Sequence, residues 1–188
     1  MRKIFILFTI FSFMASSPTF PAQASYEELF EQPLLITSAG QSAEVQLAMV
    51  LAKKAGLSYT LSKTATEKEL EGMKTLVLVI GASLKGLGAA GLDMNKEKER
   101  VESLLKGAKT RGIPLLCLHL GGEQRRGALS DELIKAFLPA ARMALVVKSG
   151  NKDGLFTTIC SQHRIPLVEV ERTIQAAEPL KRAFKLKD

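Results

Sequence analysis

Thr75-Leu-Val-Leu-Val-Ile-Gly-Ala-Ser-Leu-Lys-Gly-Leu-Gly-Ala-Ala-Gly91 sets an unbroken apolar run, rich in β-branched residues, directly before a glycine-bearing segment. A run with no polar alternation leaves no face for water, so Thr75 to Ile80 reads as a strand buried on both sides, as in a parallel sheet. The same pattern recurs at Pro33 to Thr37, Pro114 to His119, Ala144 to Lys148 and Pro166 to Val170. A weaker segment, Leu57 to Leu61, alternates more and suits a sheet edge.

Between these runs the apolar residues fall at helical spacing. The stripes are Val45, Ala48, Met49 and Ala52; Val101, Leu104, Leu105 and Ala108; Leu133, Ile134 and Phe137; and Leu155, Phe156, Ile159 and Cys160. Gly56 and Gly112 stand where helices end, Ser42 and Ser130 where they begin, and Asp131 and Glu132 complement a helix dipole. Strand and helix alternate down the chain, which predicts an α/β fold: a three-layer α/β/α sandwich on a mostly parallel sheet, with flavodoxin-like or Rossmann-like winding.

Four polar segments follow the first, third, fourth and fifth strands: Ser38-Ala-Gly-Gln-Ser42, Gly81 to Gly91, His119 to Gly127 and Lys148-Ser-Gly-Asn-Lys-Asp-Gly154. Ligands of open α/β sheets bind beyond the carboxyl ends of the strands, at the point where the winding reverses. The order 2-1-3-4-5 makes the four bearing strands neighbours and puts the reversal between strands one and three. The order 3-2-1-4-5-6 would separate the third strand from the first, so the flavodoxin-like order is favoured.

The ends bound the rest. Arg2 and Lys3 precede an apolar run, Ile4 to Phe13, and the small-residue pattern Ala22-Gln-Ala24, which predicts a signal peptide over residues 1–24. Ser16, Ser17, Pro18 and Pro21 interrupt the run, so no stable membrane anchor is expected after cleavage. Residues 25–32 form a lead-in expected to pack loosely, and 33–188 a single α/β domain whose tail, Arg182 to Asp188, is expected to fray. The formal charge of +7 falls to +5 when Arg2 and Lys3 leave. Basic residues are not interleaved with aromatics and Trp is absent, which argues against nucleic acid. Cys117 and Cys160 could form one disulfide in an oxidising compartment, yet nothing in their spacing forces them together, and they read as two small buried hydrophobes.

Gly86-Leu-Gly-Ala-Ala-Gly91 matches the dinucleotide pattern G-x-G-x-x-G letter for letter, but Ser83, Leu84 and Lys85 separate it from the strand end and it follows the third strand. No cofactor is therefore expected. The segments instead suggest backbone N–H groups converging on an anion, with Lys85, Arg125, Arg126, Lys148 and Lys152 beside them. The candidate ligand-binding residues are Ser38, Gly40, Gln41, Ser42, Ser83, Lys85, Gly86, Gly88, Gly121, Gly122, Glu123, Arg125, Arg126, Lys148, Ser149, Asn151 and Lys152. His119, at the end of a central strand, is the candidate catalytic base, with Ser38 or Ser83 as a nucleophile, Glu123 or Asp153 as a third member, and a structural role as the alternative. One crevice histidine without paired carboxylates gives no metal site.

Ser38-Ala-Gly-Gln-Ser42, Lys85-Gly-Leu-Gly-Ala-Ala-Gly91, Gly121-Gly-Glu-Gln-Arg-Arg-Gly127 and Lys148 to Gly154, read together, resemble a family of exported bacterial proteins classed only as a domain of unknown function. The resemblance spans about Pro33 to Phe184. It implies a bacterial, periplasmic or secreted single domain and brings no activity, substrate or catalytic residue. Three functions compete: a binding module for a small anionic molecule, carboxylate or phosphate; a hydrolase or transferase using His119; and a module that contacts an envelope protein partner.

Overall fold

The structure is a computed structural model, described here for residues 26–185; the expected signal peptide lies outside that range. Six parallel strands form one sheet: β1 (Leu34–Ala39), β2 (Tyr59–Leu61), β3 (Thr75–Ile80), β4 (Leu115–His119), β5 (Met143–Val147) and β6 (Leu167–Val170). Their order is β2-β1-β3-β4-β5-β6, the flavodoxin-like order with one strand added, and the alternating segment β2 takes an edge.

Every residue of β1, β3, β4 and β5 is buried, as their unbroken apolar runs require. Successive side chains serve opposite faces. Leu76, Leu78 and Ile80 pack with Val101, Leu104, Leu133, Phe137 and Phe156. Val77 and Val79 pack with Val45, Leu51, Leu180 and Phe184. The helices sort accordingly: α3 (Met94–Thr110), α4 (Ala128–Phe137) and α5 (Leu155–His163) on one face, α1 (Glu44–Lys54) and α6 (Ala177–Arg182) on the other. Right-handed crossovers place α1 opposite α3, α4 and α5, because the chain moves one way from β1 to β2 and the opposite way from β3 to β6; α6 follows the last strand and packs beside α1.

The helix ends largely follow the expected chemistry. Gly56 (φ +72°) and Gly112 (φ +68°) take left-handed backbone just past α1 and α3. The amides beyond them, Leu57 and Ile113, donate back to Ala52 and Ala108 at 3.0 and 2.9 Å. Three expectations need correction. Ser130 does not cap α4, which begins at Ala128; its Oγ accepts from the amide of Ala82 (2.9 Å) and ties α4 to the end of β3. Ser42 stands one residue outside the Ala43 cap of α1, where its Oγ accepts a long bond from the Glu44 amide (3.4 Å). Gly86 and Gly88 lie not in a loop but in a short helix, α2 (Leu84–Ala89), whose N-cap is Ser83.

The described residues before β1 and after α6 pack on each other; 186–188 of the tail lie outside the described residues. Phe30 bridges to Phe184 with ring centroids 5.5 Å apart, and both are buried. The amide of Phe30 donates to Ala183 (3.0 Å) and that of Lys185 to Phe30 (2.9 Å), while Glu27 pairs with Arg182 and Glu31 with Lys185. The lead-in and the described part of the tail hold each other because each supplies an aromatic ring and a carboxylate or cation to the other.

Candidate functional site

The segments after β1, β3, β4 and β5 meet at one edge of the sheet, as the strand order demands. Gly40 allows the first contact: at φ +101°, an added Cβ would stand 2.6 Å from the carbonyl oxygen of Gly81 and 2.8 Å from a Leu133 methyl. Gly86 allows the second, since its Cβ would fall 2.0 Å from the carbonyl oxygen of Gln41. The glycine motif therefore serves close packing between the β1 segment and α2. An added Cβ on Gly88 would stand in open space.

Beneath this edge lies an acidic side chain absent from the sequence-based candidates. Glu97, on the first turn of α3, is fully buried and accepts at Oε1 from the Gly40 amide (2.8 Å) and the Gln41 side chain (3.0 Å). Arg100, one turn later, donates to both Glu97 oxygens (2.9 and 3.0 Å), to Ser38 O (2.5 Å) and to Ala65 O (2.7 Å). The Gln41 amide also reaches Lys63 O at 3.0 Å. This buried pair holds the β1 segment from below. Ser38 Oγ, buried beside it, has no hydrogen-bond partner.

A second buried carboxylate closes the segment after β4. Glu44 Oε2 accepts from the amides of Leu120 (2.9 Å) and Gly121 (2.8 Å), an N–H pair of the kind that cradles anions. The chain's own carboxylate fills that cradle. Glu44 Oε1 makes no hydrogen bond, and Arg125 Nε stands 3.7 Å from it.

His119 is fully buried, with Nδ1 2.9 Å from Ile80 O and Nε2 3.1 Å from Gly122 O, and its ring lies 5.2 Å from that of Phe156. A Cβ on Gly150 would come within 2.8 Å of its Nε2. Both ring nitrogens face backbone carbonyl oxygens within the core, and a neutral ring donates to one of them, so His119 links β4 to the end of β3 or to the turn at Gly122–Arg125. The proposed serine partners are committed elsewhere or unpaired: Ser83 Oγ accepts from the Gly86 amide (3.1 Å), and Ser38 makes no bond to His119.

Most of the expected anion-facing cations are paired with acids. Arg126 donates to both oxygens of Asp131 (2.6 and 3.0 Å), to both of Asp153 (2.9 and 2.7 Å) and to Gly150 O, and lies over the Phe156 ring at 5.8 Å. Hydrogen bonds from Arg126 hold Asp153 down at about 2 and lower Asp131, and those carboxylates, Asp153 first, raise the guanidinium further. Lys148 pairs with Glu171 (2.7 Å), which raises its ammonium, and Lys152 pairs with Glu123. Asn151, three residues before the Gly154 cap of α5, accepts at Oδ1 from the Phe156 amide in the first turn (2.9 Å), while Nδ2 donates to Thr157 and Glu169. Ser149 packs on Gly122, where a Cβ would meet its Oγ at 2.3 Å. Among the described residues, Lys85 and Arg125 are the two expected rim cations with no hydrogen bond to an acid.

Cys117 and Cys160 are free and buried, and burial raises both thiols, that of Cys160 to about 11. No group of three or more His, Cys, Asp or Glu side chains is placed to hold a metal among the described residues. No described helix is long and apolar enough to cross a membrane.

No curated protein matches the sequence. Among solved structures, the chain is similar to AlinE4, an SGNH-hydrolase family esterase, at 12% identity and a TM-score of 0.31, with 82% of each chain covered. It is similar to a GDSL-like lipase from Bacteroides thetaiotaomicron at 12% identity and a TM-score of 0.34, with 79% of this chain and 71% of that one covered. Likeness at that level assigns no activity. A family model does match residues 31–184, nearly the whole of the described chain, and on that match the chain belongs to the family described as Domain of unknown function (DUF6305).

Proposed function

We propose that this chain is a binding module for a small carboxylate- or phosphate-bearing molecule, held at the carboxyl edge of the sheet beyond β1, β3 and β4. The observation that carries the reading is the pairing pattern of the rim cations. Arg126, Lys148 and Lys152 are hydrogen-bonded to Asp131, Asp153, Glu171 and Glu123, whereas among the described residues Lys85 has no acidic partner and Arg125 has only the Glu44 oxygen 3.7 Å away. These two sit on segments that follow the adjacent strands β3 and β4. The backbone cradle at Leu120 and Gly121 is already filled by Glu44, so the ligand's anionic group meets side chains instead.

Thermal-shift measurements against organic acids and phosphorylated compounds test the reading, because a ligand that binds only the folded state raises the midpoint by mass action. At least one class should stabilise the wild type, and Lys85→Ala or Arg125→Ala should remove that stabilisation, with Lys85→Ala leaving the unliganded midpoint close to wild type. A wild type that responds to no anion overturns the proposal. The module is further proposed to act outside the cytoplasm, on the strength of Arg2, Lys3, Ile4 to Phe13 and Ala22-Gln-Ala24. N-terminal sequencing of the protein from its own host should begin at Ser25, and a start at Met1 would refute export by cleavage.

A further inference from the structure

Four large apolar side chains are substantially exposed among the described residues: Leu47, Val50, Leu84 and Ile174. Scattered singly they would need no account, but three of the four lie on the α1 and α6 face of the sheet. Helices α3, α4 and α5, on the opposite face, carry none. Leu47 (42% exposed) and Val50 (50%) are one turn apart on α1, off the row Val45, Ala48 and Ala52 that packs in the core. Ile174 (50%) belongs to the turn Thr173–Ala176, which leads into α6. Its neighbour Thr173 donates to Leu120 O (2.9 Å), and the Leu120 amide donates to Glu44, one turn before Leu47. Leu47 and Ile174 therefore border the same junction, from which α6 continues beside α1.

The border of this apolar strip is basic. Lys53 and Lys54 close α1, with Lys54 one turn beyond Val50; Lys181 stands in the last turn of α6, and Arg172 two residues before Ile174. All four are exposed, and none forms a salt bridge among the described residues. Glu44 is buried, which leaves Glu178 as the one exposed acid on α1, the turn and α6. On the other face the charges alternate instead, as in Lys96-Glu-Lys-Glu99 of α3, and Lys98 pairs with Glu132 and Arg111 with Glu67. Protein-binding patches are typically built around aromatic and arginine anchors and are poor in lysine, the reverse of this composition. An aliphatic centre rimmed by lysines suits an anionic bilayer, where the apolar side chains enter the headgroup layer and the long cationic ones stay with the phosphates.

We propose that the α1 and α6 face rests on the surface of an anionic phospholipid bilayer, with Leu47, Val50 and Ile174 in the headgroup layer and Lys53, Lys54, Lys181 and Arg172 on lipid phosphates. This surface uses neither Lys85 nor Arg125, so it stands or falls apart from the ligand at the carboxyl edge. Sedimentation of the protein purified from its own host tests it, with vesicles of phosphatidylglycerol and phosphatidylethanolamine against vesicles of phosphatidylcholine alone. The anionic vesicles should be bound at least about tenfold more tightly, and rising salt should erase the difference. Each lysine removed should weaken that binding about fivefold, so Lys53→Ala/Lys54→Ala/Lys181→Ala should weaken it about a hundredfold. Leu47→Gln/Val50→Gln/Ile174→Gln, all at exposed positions, should abolish binding at an unchanged thermal midpoint. Absence of binding to the anionic vesicles overturns the proposal. Binding that the glutamine variant retains also overturns it, because the contact then lies elsewhere in the chain. A vesicle-free dimer that the glutamine variant dissociates in analytical ultracentrifugation overturns it too, and assigns the face to a second copy of this chain. Should the glutamine variant not fold, the lysine variant still decides the matter, since anionic binding that it keeps at wild-type strength refutes the basic rim.

Discussion

Replacing Arg126 by alanine would cut the link between the segments that follow β4 and β5. Its guanidinium is only 12% exposed and reaches Asp131, Asp153 and the carbonyl of Gly150 while lying over Phe156. The Asp131 pair is partly buried and bidentate, so its charge-assisted bonds count in full, whereas Asp153 is 58% exposed and its share is screened. With the carbonyl bond and the cation–π contact included, Arg126→Ala should cost about 4 kcal/mol at neutral pH. For a domain of this size that is a fall in Tm of about 10 °C. Arg126→Lys keeps the charge but cannot grip two carboxylates in a fork, and should recover less than half of the loss. Both aspartates titrate below their ordinary value in the folded protein, Asp153 at about 2, so the stability they lend is present above about pH 4 and is lost as pH falls through about 2. The gap between wild type and Arg126→Ala in urea unfolding should therefore be widest above about pH 4 and narrow steadily below it. A loss under about 1 kcal/mol at pH 7, or a gap that does not shrink in acid, would refute the clasp.

Three further outcomes follow from the same geometry. Glu97→Gln strands the buried Arg100 guanidinium and should cost about 3–5 kcal/mol in chemical denaturation, with Glu97→Gln/Arg100→Met recovering part of it; a near-neutral single variant would contradict the buried pair. Gly86→Ala forces a Cβ against the Gln41 carbonyl and should destabilise by about 1–3 kcal/mol, whereas Gly88→Ala, in open space on the same helix, should stabilise by about 0.5–1 kcal/mol; equal effects would show that α2 does not pack as described. Phe30→Ala should cost about 3–5 kcal/mol, and proteolysis should then remove the residues before β1 first in the variant but not in the wild type; equally early cleavage of both would show that segment loose.

The fold was legible because its strands are buried on both faces. Thr75 to Ile80 and its counterparts carry no polar alternation, and the position of the glycine-bearing segments selected the strand order that is observed. The edge of the sheet was legible as a place but not as an electrostatic object. Lys148, Lys152 and Arg126 read as a basic rim in sequence, while their partners Glu171, Glu123, Asp131 and Asp153 lie 5 to 29 residues away and could not be matched without the fold. Glu97 did leave a trace: at four and seven residues before Val101 and Leu104 it continues their apolar stripe, and a charge on such a stripe is buried with a partner or the helix does not dock. Glu44 left none, since an acid in the first turn of a helix is ordinary dipole chemistry. His119 was conspicuous for its position, but its closure by Ile80 O and Gly122 O depends on the register of β3 against β4.

The clasp between Phe30 and Phe184 brings the two described ends of the polypeptide side by side, 154 residues apart in sequence yet hydrogen-bonded in space. Topologically the domain is nearly a ring with one bond missing. A short tether from Lys185 to Tyr26 would complete that ring, and a new opening at the exposed Gly72 or Gly112 would give a permuted chain with the same sheet. The two described ends therefore lie at one place on the molecule.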